Sequence, residues 1–288
     1  EDIRCQADRP ASLTIRKMTE QLYEGHPHGK PVLGTEESVS SLTREDLLNY
    51  YNQVFHPSRL VLTVVGDVEP DHIVDLLGSL LPDRDRYATA QAETVSPSMA
   101  MTSSCESRLR GEGTQAHVAI GFHGLCFSDL RRPTLDVLLT VLSGQSGRLF
   151  LDLRDRKSLA YSVNASSFEG ADSGFVYAYM GTSPDKVQQA KGGLEEALAK
   201  LVNERISPSE LERAQRYVSG VHDIGLQRYA MRAAHYGINS IYGVNRSRFE
   251  EYGAEVESVT RDDVQALAAQ IIDFDRSSVV LFEPEKSE

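Results

Sequence analysis

Residues 147–163 read Gly147-Arg148-Leu149-Phe150-Leu151-Asp152-Leu153-Arg154-Asp155-Arg156-Lys157-Ser158-Leu159-Ala160-Tyr161-Ser162-Val163. A helix over Gly147 to Asp155 ends near Arg156, and a strand begins near Leu159. Arg154 in the last helical turn and Tyr161 early in the strand therefore can converge on one side of the connection. Ordinary structural preferences account for both residues equally well, since cations favour a helix C-terminus and Tyr is a good strand former. The strand from Leu159 to Phe168 and a second from Phe175 to Met180 pair as a hairpin whose turn is Glu169-Gly170-Ala171-Asp172.

Working outward, His117 to Phe122 reads as a strand and Pro133 to Leu142 as a helix. Ser183-Pro184 opens a helix carrying Val187, Ala190, Leu194, Ala197 and Leu201, and Ser207-Pro208-Ser209-Glu210 is a capping box opening the next. Hairpins mixed with helices, without strict strand–helix alternation, predict an α+β fold: a largely antiparallel sheet with helices packed on one face.

Towards the N-terminus, Ile15, Met18 and Leu22 have helical spacing, Thr43-Arg44-Glu45-Asp46 starts a helix carrying Leu47, Leu48 and Tyr51, and Leu60 to Val65 reads as a strand. The stretch from Pro82 to about Gly113 has the least apolar pattern and is read as a linker. Ser41-Leu42-Thr43-Arg44-Glu45-Asp46-Leu47, running to Arg59, Leu62 and Val64, matches Ser258-Val259-Thr260-Arg261-Asp262-Asp263-Val264, running to Arg276, Val279 and Leu281, at a constant offset of 217 residues. Such a repeat predicts two homologous domains. The expected division is the end of a first domain over 1–82, a linker over 83–113 and a second domain over 114–288, with the first domain incomplete.

The composition, 288 residues at 40% hydrophobic and 25% charged, suits a globular chain with a sizeable core. A net charge of −12 opposes binding to phosphate backbones, so nucleic acid is discounted as a partner. No apolar run approaches the roughly 20 residues of a membrane span, so no membrane is expected. Glu1-Asp2-Ile3-Arg4 lacks the features of a signal peptide. Cys5, Cys105 and Cys126 are odd in number and far apart, as reduced thiols are. That favours a cytoplasmic setting, with periplasm or organelle left open.

Among the eight histidines none forms H-x-x-H, H-E-x-x-H or H-x-x-E-H. His26 and His28, in Gly25-His26-Pro27-His28-Gly29, sit in a Pro/Gly loop and are read as turn residues rather than metal ligands. His117 and His123 can share a strand face without an acidic neighbour. There is no G-x-S-x-G elbow, no cysteine in a basic or glycine-rich context, and Ser143-Gly144-Gln145-Ser146-Gly147 lacks the Gly-Lys-Ser/Thr ending of a phosphate loop.

Two stretches resemble the pitrilysin/insulinase family of zinc metallopeptidases, in the style of the processing peptidases. His26-Pro27-His28-Gly29-Lys30-Pro31-Val32-Leu33-Gly34-Thr35, then Ser41 to Val54 and Val65-Gly66-Asp67-Val68, look like the end of that family's first domain. Arg148-Leu149-Phe150 through Tyr161-Ser162-Val163, with an Arg and a Tyr seven residues apart, looks like its second-domain signature. The resemblance implies paired α+β domains forming half of a clam-like chamber, with zinc held by H-x-x-E-H and a later Glu in the catalytic half. That motif is absent, and Asp2, or a shifted Glu1, stands where the later Glu belongs. The zinc of the complete enzyme is therefore expected outside this chain, with no metal ligand and no cofactor here, and the chain alone is expected to cleave nothing.

By the same resemblance, Arg154 and Tyr161 are the candidate catalytic residues, polarising the scissile carbonyl of an unfolded peptide. The implied partners are a zinc-bearing half or subunit, the peptide substrate and a dimer mate. Two other classes fit the fold, a non-catalytic core subunit of a respiratory complex and a protein that captures extended peptides without cutting them.

Overall fold

The computed structural model describes residues 2–7, 9–55, 59–80 and 101–285. In chain order, helices α1 (Asp2–Ala7), α2 (Pro10–Leu22), α3 (Glu36–Ser41), α4 (Arg44–Val54) and α5 (Pro70–Leu80) precede strands β1 (Cys105–Gly111) and β2 (Ala116–Gly124). Helix α6 (Arg132–Leu142), a π-helical segment (Phe150–Arg156), β3 (Ser162–Glu169) and β4 (Gly174–Thr182) follow. The chain continues through α7 (Val187–Asn203), α8 (Pro208–Leu226), α9 (Tyr229–Ile241), α10 (Arg248–Ser258), α11 (Arg261–Ile271) and β5 (Ser278–Pro284). These elements form two compact units, one from Glu1–Gly34, Pro97–Gly220 and Tyr252–Glu288, the other from Thr35–Ser96 and Val221–Glu251.

In the first unit the strands run β1-β5-β2-β4-β3, antiparallel except for the β1–β5 pair. β2 is central and alternates two kinds of side chain. Val118, Ile120 and Phe122 point into the large core with α6, α7 and α11, whereas Ala119 faces Met18, Leu22 and Val280 on the α2 side. Gly121 shares the α2 side, and a Cβ there would lie 2.4 Å from the Met18 sulfur. Small residues on that face let a helix approach a sheet already full on the other. The antiparallel-rich α+β architecture is the one expected. Its main helical layer lies on one face, and α2 adds a cover on the opposite face.

The helical apolar stripe of α7 reads through directly: Val187, Ala190, Leu194, Ala197 and Leu201 are all buried. Ser207 caps α8 as the capping box predicts. Its hydroxyl accepts the Glu210 N–H at 3.2 Å, and Glu210 accepts the Ser207 N–H at 2.7 Å. Two expectations differ from the structure. Residues 105–111, within the stretch read as linker, form β1, whose edge position exposes alternate residues and so removes the continuous apolar signal. Residues 83–100 of that stretch lie outside the described residues.

The second difference concerns the repeat. α4 and α11 share length, offset and cap: Thr43 with Asp46 and Thr260 with Asp263 form the same reciprocal capping box. The segment Leu60–Val65, however, is not a strand, whereas its counterpart enters β5. A strand exists by pairing its backbone, and among the described residues no strand pairs with this one. Thr63 instead donates its hydroxyl to the Ala233 carbonyl of α9, within the second unit, at 2.8 Å. The burial differs to match. Val264, Leu267, Ala268 and Ile271 are core, while the corresponding Leu47, Tyr50 and Tyr51 are exposed.

Arg148 and Glu210 join the start of the π-helical segment to α8 by two hydrogen bonds of 2.7 and 3.1 Å. The Arg148 bond is the largest cause holding the Glu210 carboxyl down to about 2. Because the folded value lies below the ordinary carboxylate value, the pair stabilises the fold above about pH 4.5 and its contribution disappears as pH falls through about 2. We expect Glu210→Gln to cost about 1.5–3 kcal/mol at pH 7, the range for hydrogen bonds to charged groups. The difference from the unsubstituted protein, read from urea melts, should shrink steadily below pH 4.5. A difference independent of pH would show that the ionised pair is not its source.

Candidate functional site

The loop after α6 is tied down before it reaches the site. The Ser143 hydroxyl donates to the Ala165 carbonyl at 2.8 Å and accepts the Ala165 N–H at 2.7 Å, which clamps the loop to β3. Gly147 makes the next step possible, since a Cβ there would lie 2.2 Å from the Ser143 carbonyl oxygen. Residues 150–156 then wind as a π-helix, with the Lys157 N–H reaching the Asp152 carbonyl at 3.0 Å. Widened turns of this kind are rare and often sit at functional sites.

Ser158 ends the helix with φ of 50°, the sole non-glycine residue with positive φ among the described residues. This left-handed conformation costs an L-residue roughly 1–2 kcal/mol and persists only when neighbours fix it. Three bonds do so. The Leu159 N–H donates to the Leu153 carbonyl at 2.8 Å, the Thr182 hydroxyl donates to the Leu159 carbonyl at 2.6 Å, and the Tyr161 N–H donates to the Gly181 carbonyl at 2.8 Å. Leu159's backbone is spent on the helix end and on Thr182, which is why β3 begins at Ser162 rather than at Leu159. Gly193 of α7 closes the packing, for a Cβ there would lie 2.9 Å from Leu153 and 3.3 Å from Leu159.

This geometry brings Arg154 and Tyr161 to the wall of one cavity of about 340 Å³, together with Ser158, Leu159, Ala160, Ser183 and Lys186. Both side chains are exposed. The Arg154 guanidinium lies 4.9 Å from the centre of the Phe150 ring, one helical turn back, a cation–π contact that orients it. Lys186 donates to the Ser158 carbonyl at 3.2 Å. Asp155 and Arg156 are exposed, whereas Lys157 is held by Asp152 at 3.0 Å and Glu196 at 2.8 Å. The sequence reading missed Lys186 and Ser158. Ser183-Pro184 marks a helix start, but nothing local says that the lysine two residues on faces a loop 28 residues earlier.

The other candidates fall apart or serve the fold. His117 and His123 share one face of β2, and burial pushes both imidazoles down. His117 Nδ1 lies 2.7 Å from the Tyr179 hydroxyl. Among the described residues neither belongs to a group of three side chains able to hold a metal. Asp2 is exposed on α1, and Glu1 lies outside the described residues. The three cysteines are free thiols. No described helix is long and apolar enough to cross a membrane.

The peptidase M16 inactive domain matches residues 41–218. A zinc protease of Bacillus subtilis, YmxG, itself uncharacterised, is 29% identical over 274 residues, 94% of this chain and 65% of the relative. A protease from Helicobacter pylori, 17% identical, superposes with a TM-score of 0.89 over 98% of this chain and 69% of its own. A chain of complex III2 from Candida albicans, 16% identical, reaches 0.79 over 98% and 69%. The chain spans about 60–65% of the length of the first curated relatives it matches. With more than half of its length covered by that domain, the chain belongs to the peptidase M16 family, the pitrilysin/insulinase family its sequence resembles.

Proposed function

We propose that this chain is the portion of an M16 zinc endopeptidase that does not hold the zinc, and that Arg154 and Tyr161 bind the scissile carbonyl oxygen of an extended peptide. The observation that carries the reading is the meeting of a guanidinium, a phenol and, at Lys186, an ammonium on one cavity wall. Arg supplies a permanently charged fork and Tyr a neutral donor, so the oxygen is bound without proton exchange near neutral pH. Donors already aimed at an oxygen that becomes negative stabilise the transition state more than the ground state. The strained turn at Ser158 serves the same end by fixing the spacing between the two side chains.

The two histidines of the family's zinc motif are proposed to lie outside this chain. The chain has no H-x-x-E-H, and its described group of metal-capable side chains is a turn paired with a hairpin rather than two histidines on a helix. No zinc step is therefore assigned to these residues. The zinc-bearing half, in the same polypeptide or as a partner subunit, is proposed to supply the metal chemistry. Residues 1–82 are proposed as the end of a first peptidase domain and 114–288 as the second, with 83–113 between them supplying β1, which pairs with β5 of the second. A scaffold role, favoured by the likeness to a chain of complex III2, shares the fold but gives no use for the Arg154–Tyr161 pair.

Combined with a zinc-bearing half, Arg154→Ala and Tyr161→Phe are each expected to lower kcat by roughly 10²–10³-fold, the scale for loss of one oxyanion donor. Thermal melts should be nearly unchanged, because both side chains are exposed. Full activity in both variants removes the pair from catalysis and favours the scaffold. At Ser158, replacement by Val should cost about 1–2 kcal/mol of stability, since a β-branched residue resists positive φ, whereas Ser158→Gly should cost little. Equal denaturant midpoints for the two variants would show that the turn is not held left-handed.

A further inference from the structure

The first unit holds a second cluster of chemically capable groups, on residues that the proposed mechanism does not use. Pro27–Gly29 forms a 3₁₀ turn after α2, and Gly29 is required there because a Cβ would lie 2.4 Å from the Tyr23 carbonyl oxygen. The turn sets the imidazoles of His26 and His28 with ring centres 4.8 Å apart. Both rings pack on Tyr23, at 5.5 and 5.3 Å between centres. Across from them stands Asp172, in the β3–β4 turn. Its two carboxylate oxygens lie 3.0 Å from His26 Nε2 and 3.1 Å from His28 Nε2.

From this geometry we infer that His26, His28 and Asp172 form a binding site for a divalent transition metal of the zinc class, clipping the His26–His28 turn to the β3–β4 hairpin. The donor set is two imidazoles and one carboxylate, the set that borderline cations prefer and that leaves a fourth position for water. The three ligand atoms lie within 4.8 Å of one another. Around a tetrahedral zinc with bonds of about 2.0–2.2 Å, ligand atoms stand roughly 3.3–3.6 Å apart. The two short contacts use different oxygens of Asp172, and bringing the widest separation from 4.8 Å to that spacing asks for a closing of at most about 1.5 Å, shared among three side chains.

The surroundings suit such a site. His26 is 9% exposed, while His28 and Asp172 are about a quarter exposed, which leaves one side open for entry. Gly170 makes room, since a Cβ there would lie 2.6 Å from His28 Nε2. Burial alone raises the Asp172 carboxyl, yet its own backbone N–H and then the two imidazoles outweigh that and hold it below its ordinary value, so the anionic ligand is ready.

Without metal, each Nε2 donates its proton to Asp172, and His26 Nδ1 accepts the His28 N–H at 3.2 Å. A metal on Nε2 displaces that proton, and the neutral ring then carries its proton on Nδ1. Binding therefore breaks the His28 N–H bond to His26, one neutral hydrogen bond given up for three metal–ligand bonds. Sequence alone does not show the site, because Asp172 lies 144 residues after His28.

The test is calorimetric titration of the chelator-treated full chain with Zn²⁺, followed by Co²⁺ absorption. One equivalent should bind, and the Co²⁺ spectrum should show four-coordinate bands without a thiolate charge-transfer band, which excludes Cys5, Cys105 and Cys126 as ligands. His28→Gln and Asp172→Asn should each weaken Zn²⁺ by more than the roughly 10–100-fold lost with an outer-shell partner. Affinity should fall as pH is lowered, because the imidazoles must be unprotonated. X-ray absorption of the unsubstituted zinc complex should count two imidazole nitrogens, which reads the site even where a variant does not fold. Absence of stoichiometric binding, a sulfur ligand, a single imidazole, or unchanged affinity in the folded variants would overturn the assignment.

Discussion

Burial of β2 on both faces is the constraint from which the first unit follows. A strand with Val118, Ile120 and Phe122 on one side and Ala119 and Gly121 on the other needs a thick helical layer on the first and one close helix on the second. Its two neighbours are also fixed. β4 pairs along the whole strand and β5 along His117 to Gly121, and this carries β3 to one edge and β1 to the other. Since Tyr161 immediately precedes β3 and bonds Gly181 of β4, the register of that pair positions a candidate catalytic side chain.

Arg154 is placed by a different means. It lies on a helix widened by one residue per turn and stopped by a left-handed serine, both less favourable than their regular alternatives. The Leu153 and Thr182 bonds and the contact of Gly193 with Leu153 and Leu159 offset that cost. Tyr161 is thus placed by strand register and Arg154 by compensated strain, two independent means of fixing side chains on one cavity wall.

Which features were legible in the sequence follows from how local their causes are. The stripe on α7, the helix start at Thr43 and the capping box at Ser207 depend on residues three or four apart, and they are read from the chain directly. Leu60–Val65 has strand-like residues, but a strand is a property of a pair, and pairing is not written in one segment. β1 fails in the opposite sense: its alternating exposure hides it, and its parallel bond to β5 comes from 173 residues away. At the candidate site, the Arg154–Tyr161 spacing was visible because seven residues span a single connection. Lys186 was not, because its approach to Ser158 is set by where α7 starts on the sheet.

Charge gives the cavity its chemical character. The chain carries −12 overall, so a long polyanion meets repulsion, while a short neutral or zwitterionic chain does not. Against that background the cations near the site are sorted by pairing. Lys157 is neutralised by Asp152 and Glu196, and its hydrogen bond is the main cause holding the Glu196 carboxyl down to about 2. Arg154 and Lys186 face the cavity with an aromatic ring and a backbone carbonyl as their nearest described partners, neither of which cancels a full charge. Their hydrogen-bonding capacity is only partly used. An oxygen with free lone pairs is the acceptor such donors fit, and Tyr161 adds a donor that does not raise the local charge further. Two uncancelled cations beside a phenol donor attract an oxygen more strongly the more negative charge it carries, which is the property the proposed carbonyl-binding role draws on.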